Sequence, residues 1–216
     1  VFATYTHRRD LNWAEGRYGS SDALKVLQPG ETAHCTRYYG DRKWLIAPGW
    51  YDVLFDMNSR YDVPGYGYQL ACGETALAES WMSKDYLSHN HCMLGHLYSW
   101  LFNGLGGLSQ APGSVGYKKV VIDPQVVGDI RSARVAFESP YGLIRSEWND
   151  TPQTFRQTVE IPGNASALVY LPTADPEAIS ENGQPLDRIE GITVERKGDR
   201  TVLHIGSGVY NFSVRK

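Results

Sequence analysis

The sequence has few cysteines, and their spacing argues against a cross-linked or zinc-bound scaffold. Only Cys35, Cys72 and Cys92 occur among the 216 residues, and none of them forms a C-x-x-C pair with another. Structural zinc sites and disulfide frameworks usually need closely paired or even-numbered cysteines. We therefore expect free, buried thiols.

A long apolar run, a secretory leader pattern and an excess of basic residues are also missing. No stretch approaches the roughly 20 apolar residues that span a bilayer, and the first residues do not follow a leader pattern. The formal net charge of −3 supplies no basic surface for nucleic acid. We expect neither nucleic-acid nor membrane binding. The compartment stays open, with a periplasmic or secreted location favoured over a cytoplasmic one.

The chain opens at Val1 instead of Met, which indicates a processed or truncated piece of a longer protein. Its 14 Tyr and 6 Trp are more informative than the bulk composition. Aromatic rings stack on the C–H faces of sugars, although they also fill cores. The aromatic content is a weak indication of carbohydrate binding.

Two stretches of the first half have helical spacing. Apolar residues recur every three or four positions across Leu94–Leu105, and a similar pattern covers Glu74–Lys84. The polar link Asp85–Asn90 lies between them. This arrangement predicts an antiparallel pair of helices joined by a loop.

Downstream of Gly106–Tyr117 the apolar period changes to two. The runs are short, rich in Val, Ile, Thr and aromatic residues, and bounded by Gly, Pro, Asn and Asp, as strands are. They predict an antiparallel β-sandwich or barrel, with a hairpin turn in "RKGDR" (Arg196–Arg200). The runs are "KKVVIDP", "SARVAFESP", "GLIRSEWND", "FRQTVEIP", "ALVYLP", "ITVERKG", "RTVLHIG" and "YNFSVRK".

Several motifs in order carry a family resemblance. They are "PGYGYQLACGETALAESW", "NHCMLGHLYSWLFNGLGGL", "VGYKKVVIDP", "SPYGLIRSEW" and "EIPGNASALVYLP", which together cover about residues 51–172. In this order and spacing the sequence resembles the C-terminal third of the bacterial α-L-rhamnosidases of glycoside hydrolase family 78. The likeness rests on five motifs in the same order, and no single motif carries it.

The resemblance implies an α+β chain in which the C-terminal helices of an (α/α)₆ barrel precede an antiparallel β-sandwich. We place the barrel portion at residues 1–108 and the sandwich domain at residues 109–216. The implied activity is inverting hydrolysis of terminal α-L-rhamnosides, without a cofactor or metal. The implied partner is a rhamnose-containing oligosaccharide, polysaccharide or glycoside.

The resemblance also implies roles for five side chains. Glu79 falls on the family's general base, which activates the attacking water. His91 falls on a histidine that lines the rhamnose pocket. Trp81, Tyr68 and Tyr66 fall on aromatic positions close by, with Tyr66 standing where many members have Trp.

Inverting hydrolysis needs a second carboxyl group as general acid. On one helix, Glu74 and Glu79 would point about 140° apart, so they are not expected to share a sugar. The family's general acid lies far upstream, and His7–Gly16 has only a faint likeness to that loop, with Arg9 at the acidic position. We expect an upstream part of the same polypeptide to supply the acid. The isolated chain is then inactive.

Other interpretations of the same residues stay open. His91 and His96 lie five residues apart, which does not match the spacing of a helical zinc pair. The chain could instead be a non-catalytic carbohydrate-binding protein, which would hold rhamnose without turnover. It could also be a lyase on the same scaffold that cleaves rhamnosyl-uronate linkages to an unsaturated product.

Overall fold

The computed structural model describes residues 2–6, 32–36, 51–62, 65–83, 85–95 and 97–216, with the first two ranges described as backbone only. The fold divides into two compact units, Val1–Trp100 and Leu101–Lys216. The boundary predicted after residue 108 falls inside the strand Leu108–Gln110. His7–Gly16, His96 and the side chain of Cys35 lie outside the described residues.

The N-terminal unit combines one strand pair with short helical segments. Its small core contains Met57, Tyr66, Trp81 and Leu94, with Leu77 and Leu97 packed against them. In chain order the elements are β1 (Phe2–Thr6), β2 (Thr32–Thr36), α1 (Tyr51–Ser59), α2 (Tyr66–Ala71), a 3₁₀ turn (Cys92–Leu94) and α3 (Leu97–Ser99). A π-helical turn (Trp100–Leu105) follows and continues into the second unit.

The approach of α2 to the end of α1 requires glycine in "PGYGY". A Cβ on Gly65 or on Gly67 would lie 2.6 or 2.4 Å from the carbonyl oxygen of Arg60. Both distances are shorter than any real Cβ contact, so the backbone reaches this position only without side chains. The glycines therefore set where Tyr66 enters the core.

The predicted helical hairpin is wrong in its first half. Residues 74–83 form turns and bends without a helix, whereas the second stretch is helical as a mixture of 3₁₀, α and π turns. The N–H of Ala78 is bonded to the side chain of Gln69, and the N–H of Glu79 is bonded to the carbonyl of Ser88. Because these donors are committed elsewhere, the i to i−4 bonds of a helix do not form.

The C-terminal unit is built almost entirely from strands, and all eight predicted runs are confirmed as strands. Three further short strands were not predicted. The strands are β3 (Leu108–Gln110), β4 (Lys119–Ile122), β5 (Ser132–Ser139), β6 (Gly142–Asp150), β7 (Thr154–Ile161), β8 (Ser166–Leu171), β9 (Ile179–Glu181), β10 (Gln184–Pro185), β11 (Thr193–Lys197), β12 (Arg200–Ile205) and β13 (Gly208–Arg215).

These strands form two sheets around one core. The orders are β10-β9-β13-β7-β6-β5 and β11-β12-β8-β4-β3. Ile122 and Val169 of one sheet belong to the same buried cluster as Ile144, Phe155 and Phe212 of the other. Alternating burial in β7 and β8 follows the two-residue period of strands. The unit is therefore a two-layered sandwich.

The expectation of purely antiparallel pairing is wrong at one place. Strands β4 and β8 pair in parallel, with Val120 opposite Ala167 and Ile122 opposite Val169. A parallel pair needs a long crossover, and here β5, β6 and β7 run through the other sheet between them. The alternation of apolar residues does not distinguish the two directions.

The predicted turn in "RKGDR" is confirmed. Lys197 pairs with Arg200, and Gly198 adopts a φ of 64° between β11 and β12. A second turn joins β5 to β6 in "SPYG", where Ser139 pairs with Gly142 and the Ser139 hydroxyl donates to the carbonyl of Gly142 at 2.8 Å. Positive φ favours glycine because it lacks Cβ.

Within the described residues, every helix is too short or too polar to serve as a membrane-spanning segment.

One polar side chain in the sandwich core lacks partners. Gln157 of β7 is 1% exposed and faces inward between Phe155 and Val159. Neither its amide nitrogen nor its amide oxygen has a hydrogen-bond partner among the described residues. A buried amide without partners opposes folding by its desolvation.

We predict that Gln157→Met raises the free energy of unfolding by about 1 kcal/mol, because Met has a similar volume and no amide to desolvate. Urea unfolding measures the change. The matched control is Val159→Ala on the same strand face, with an expected loss of roughly 2 kcal/mol. A clear loss of stability on Gln157→Met would mean that the amide is bonded in solution.

Candidate functional site

The segment that carries Glu79 starts at the end of α2. Gly73 has a φ of 82°, its N–H donates to the carbonyl of Leu70 at 3.0 Å, and the N–H of Glu74 donates to that of Gln69 at 3.0 Å. This pair of bonds around a left-handed glycine is the Schellman motif that ends helices. Gly73 therefore ends a helix, where the sequence suggested that one begins.

Residues 74–83 and 85–91, called the site loop below, fold back on themselves without regular structure. The N–H of Glu79 donates to the carbonyl of Ser88 at 2.8 Å, and the N–H of His91 donates to that of Leu77 at 2.7 Å. These bonds join a first segment, residues 74–79, to a second segment, residues 88–91. Glu79 and His91 therefore lie on two paired segments of one loop.

Glu79 is half-buried, and one of its carboxylate oxygens has a defined partner. The backbone N–H of Ser88 donates to Oε2 of Glu79 at 3.2 Å. The Ser88 hydroxyl in turn accepts from the N–H of Asn90 at 3.3 Å. A hydrogen bond from a backbone donor restricts the orientation of the carboxylate.

Gln69 supports the first segment from beneath. Its side chain is buried at 3% exposure, and its Oε1 accepts the N–H of Ala78 at 3.2 Å. Its Nε2 has no partner among the described residues. The sequence carries no signal for this role, because a polar residue in a short helix is ordinarily assigned to the surface.

The aromatic residues named from the sequence differ in burial. Tyr66 and Trp81 are 7% and 6% exposed and meet edge to face, with ring centroids 4.9 Å apart. The Tyr66 hydroxyl donates to the carbonyl of Leu94 at 2.7 Å. Tyr68 is more exposed, and its hydrogen bond with the Cys72 thiol raises the pKa of its phenol. Through its contact with Tyr66, Trp81 packs the site loop onto the small core.

A second acidic residue of the site loop has a partner that the sequence did not reveal. The Glu74 oxygens lie 2.7 and 2.9 Å from Nδ1 of His89. The Glu74 side chain is 8% exposed. Glu74 and Glu79 were expected to point about 140° apart on one helix. That expectation is wrong, because residues 74–83 form no helix. Glu74 is instead engaged by its hydrogen bond with His89.

The expectation of buried thiols is wrong for the two cysteines whose side chains the structure describes. Cys72 and Cys92 are free, as expected, but exposed. Cys72 follows the last residue of α2, and Cys92 opens the 3₁₀ turn. Across the described part of the chain, no three or more His, Cys, Asp or Glu side chains are grouped as metal ligands.

Comparison with protein families divides the chain near the same place as the structure. Residues 42–105 match the model of the bacterial α-L-rhamnosidase six-hairpin glycosidase domain. Residues 107–185 match the model of the bacterial α-L-rhamnosidase C-terminal domain. The two models together cover most of the chain, in the order of the family.

Curated relatives are similar over nearly the whole chain. An α-L-rhamnosidase of Streptomyces avermitilis is 29% identical over 211 residues, which are 92% of this chain and 20% of the relative. One of Formosa agariphila is 28% identical over 193 residues, 85% of this chain and 20% of the relative. The chain thus spans about a fifth of the length of these relatives.

Solved structures also align with most of this chain and with a small part of their own length. An α-L-rhamnosidase from Dictyoglumus thermophilum aligns with a TM-score of 0.70 and 27% identity, covering 80% of this chain and 20% of that one. The Streptomyces avermitilis α-L-rhamnosidase complexed with L-rhamnose aligns with a TM-score of 0.68 and 28% identity, covering 79% of this chain and 16% of that one.

We predict that Tyr66→Phe destabilises the N-terminal unit by roughly 1–3 kcal/mol, because the carbonyl of Leu94 loses its buried donor. Chemical unfolding followed by Trp fluorescence measures this change, since the Tyr66 ring contacts Trp81. Tyr68→Phe, which removes a more exposed hydroxyl two residues away, is the control and should leave the unfolding midpoint in place. Equal midpoints for the two variants would contradict the prediction.

Proposed function

We propose that this chain, which belongs to the bacterial α-L-rhamnosidase family, is the C-terminal portion of a longer glycoside hydrolase that releases terminal α-L-rhamnosyl residues. Both family models and every relative named above carry this activity in their description. The substrate is a rhamnose-containing oligosaccharide, polysaccharide or glycoside. The L-rhamnose bound to the Streptomyces avermitilis relative supports this sugar.

The helical segments of residues 51–105 are then the last part of an (α/α)₆ barrel. The match of residues 42–105 to a six-hairpin domain supports this assignment. A barrel of six helical hairpins needs many more helices than α1, α2 and α3. In the proposal the remaining hairpins come from upstream sequence, in keeping with the chain's coverage of about a fifth of its relatives.

In this proposal Glu79 acts as the general base. The burial of its carboxylate and its hydrogen bond support this role. The carboxylate is half-buried and is oriented by the N–H of Ser88. A general base needs a fixed position within hydrogen-bond reach of the proton that it takes. An oriented carboxylate at the surface of a small core can hold a water against the anomeric carbon. Attack by that water on the face opposite the leaving group inverts the configuration.

The general acid must lie outside the site loop. In inverting enzymes the acid and the base stand about 6.5–9.5 Å apart, one protonated and the other ionised. Glu74 is a poor acid, because both of its oxygens lie within 2.9 Å of the His89 ring nitrogen. We therefore assign the acid to the upstream part of the polypeptide.

His91 and the aromatic residues complete the proposed sugar subsite. His91 is half-buried and is fixed through its backbone to Leu77, and in this proposal its imidazole is a polar contact for sugar hydroxyls. Trp81 and Tyr66 are buried in the small core, while Tyr68 is the more exposed ring. Tyr68 is thus the best placed of the three rings to stack on a sugar face.

Glu79→Gln in the full-length polypeptide is expected to lower kcat on an aryl α-L-rhamnoside by about 10²–10⁴-fold, because the amide cannot take the proton of the attacking water. The melting temperature should stay unchanged, since Gln keeps the acceptor for the N–H of Ser88. Release of the aryl group measures the rate, and NMR of the first sugar product gives its anomeric configuration.

Glu147→Gln, which removes an exposed carboxylate of β6 in the other unit, is the control and should leave the rate unchanged. Near-native turnover by Glu79→Gln would remove Glu79 from the mechanism. Rhamnose binding without turnover by the full-length protein would favour a carbohydrate-binding role instead. A product that absorbs in the ultraviolet would indicate a lyase.

A further inference from the structure

We propose that Glu74 and His89 form a positioning pair that holds the two segments of the site loop together and thereby orients Glu79. The inference rests on the proposed function, since it concerns the rate of that reaction. Neither residue is among the five side chains to which the resemblance assigns a role.

The contact is short, and its acidic partner is almost buried. The Glu74 oxygens lie 2.7 and 2.9 Å from Nδ1 of His89, and the side chains are 8% and 43% exposed. Hydrogen bonds to an ionised group are stronger than neutral ones, and burial strengthens them further by lowering the local dielectric. Its acidic side chain is more buried than that of the Glu195–His204 pair, where Glu195 is 57% exposed.

The pair joins the beginning of the first segment to the middle of the second. Glu74 follows the Schellman motif directly, so its backbone is anchored to α2 through the carbonyl of Gln69. His89 lies between Ser88, which bonds Glu79, and His91. Any movement of His89 is therefore transmitted to the neighbour whose N–H orients the Glu79 carboxylate.

The contact adds to the backbone bonds that join the two segments. The N–H of Glu79 donates to the carbonyl of Ser88, and the N–H of His91 donates to that of Leu77. Residues 74–91 contain no strand or α-helix among those described, so no regular ladder holds them. In such a loop a side-chain bond between the segments adds to the local order.

The pair can act without a change of charge on the ring. An ionised carboxylate only accepts hydrogen bonds, so Nδ1 carries the proton whether the imidazole is neutral or charged. The ring orientation is therefore the same in both states. This identifies His89 as a positioning residue and separates its role from that of a proton-transfer group.

The test compares His89→Ala with His89→Asn in the full-length polypeptide. The side-chain nitrogen of Asn can occupy the place of Nδ1 and donate to Glu74, whereas Ala has no donor. We expect His89→Ala to lower kcat about tenfold with KM within about twofold, because a misplaced base affects the transition state and not ground-state binding. His89→Asn should restore most of the rate.

A coupling measurement tests whether the two residues act as a unit. Glu74→Ala should lower kcat as much as His89→Ala does, and the double variant should be no slower than either single one. Melting temperatures of all variants should stay within about 3 °C of the parent. His204→Ala is the matched control, because His204 and Glu195 form the corresponding pair at 3.2 Å on the exposed surface of the sandwich. It should leave kcat unchanged.

Two results would overturn the inference: an unaltered kcat in His89→Ala, or a His89→Asn variant as slow as His89→Ala. Glu79→Gln, measured in the same assay, separates this failure from that of the proposed function. If Glu79→Gln abolishes turnover while His89→Ala does not change it, the base is retained and the positioning pair is rejected. If Glu79→Gln is as fast as the parent, Glu79 is not the general base, and the proposed function is rejected together with the inference that rests on it.

Discussion

The path of the chain through the site loop depends on one buried side-chain amide. Gln69 accepts the N–H of Ala78 at 3.2 Å, and that N–H is the donor that a helix would direct to the carbonyl of Glu74. Once the donor is committed to Gln69, the N–H of Glu79 is bonded across the loop to Ser88. The side chain of Glu79 therefore takes its place from long-range bonds and not from a helical register.

A loop of this kind suits a group that must be oriented closely. Each hydrogen bond contributes only about 0.5–1.5 kcal/mol net, so several must act together to fix one carboxylate. In the site loop these are the bonds of Gln69, Ser88 and the Glu74–His89 pair. Functional side chains commonly lie on loops that a more rigid scaffold supports, and here α2 and the core around Trp81 provide that scaffold.

The sandwich was easier to anticipate than the helical unit. Its strands show alternating burial, as in β7, where Phe155, Gln157, Val159 and Ile161 face inward. That alternation is a local property, because it follows from the two-residue period of any strand with one buried face. The pairing direction of β4 and β8 is not local, since it depends on a crossover through the second sheet.

From its residues alone, the chain's order of motifs was enough to assign the family, and alternation was enough to locate the strands. The roles of Glu79 and His91 stay predictions. The tertiary structure alone decided that residues 74–83 are not helical, that Glu74 is held by His89, and that Cys72 is exposed. The physical reason is the range of the interactions. Periodicity reports which face of an element is buried, whereas the partner of a given N–H or carboxylate is set by residues brought close only by folding.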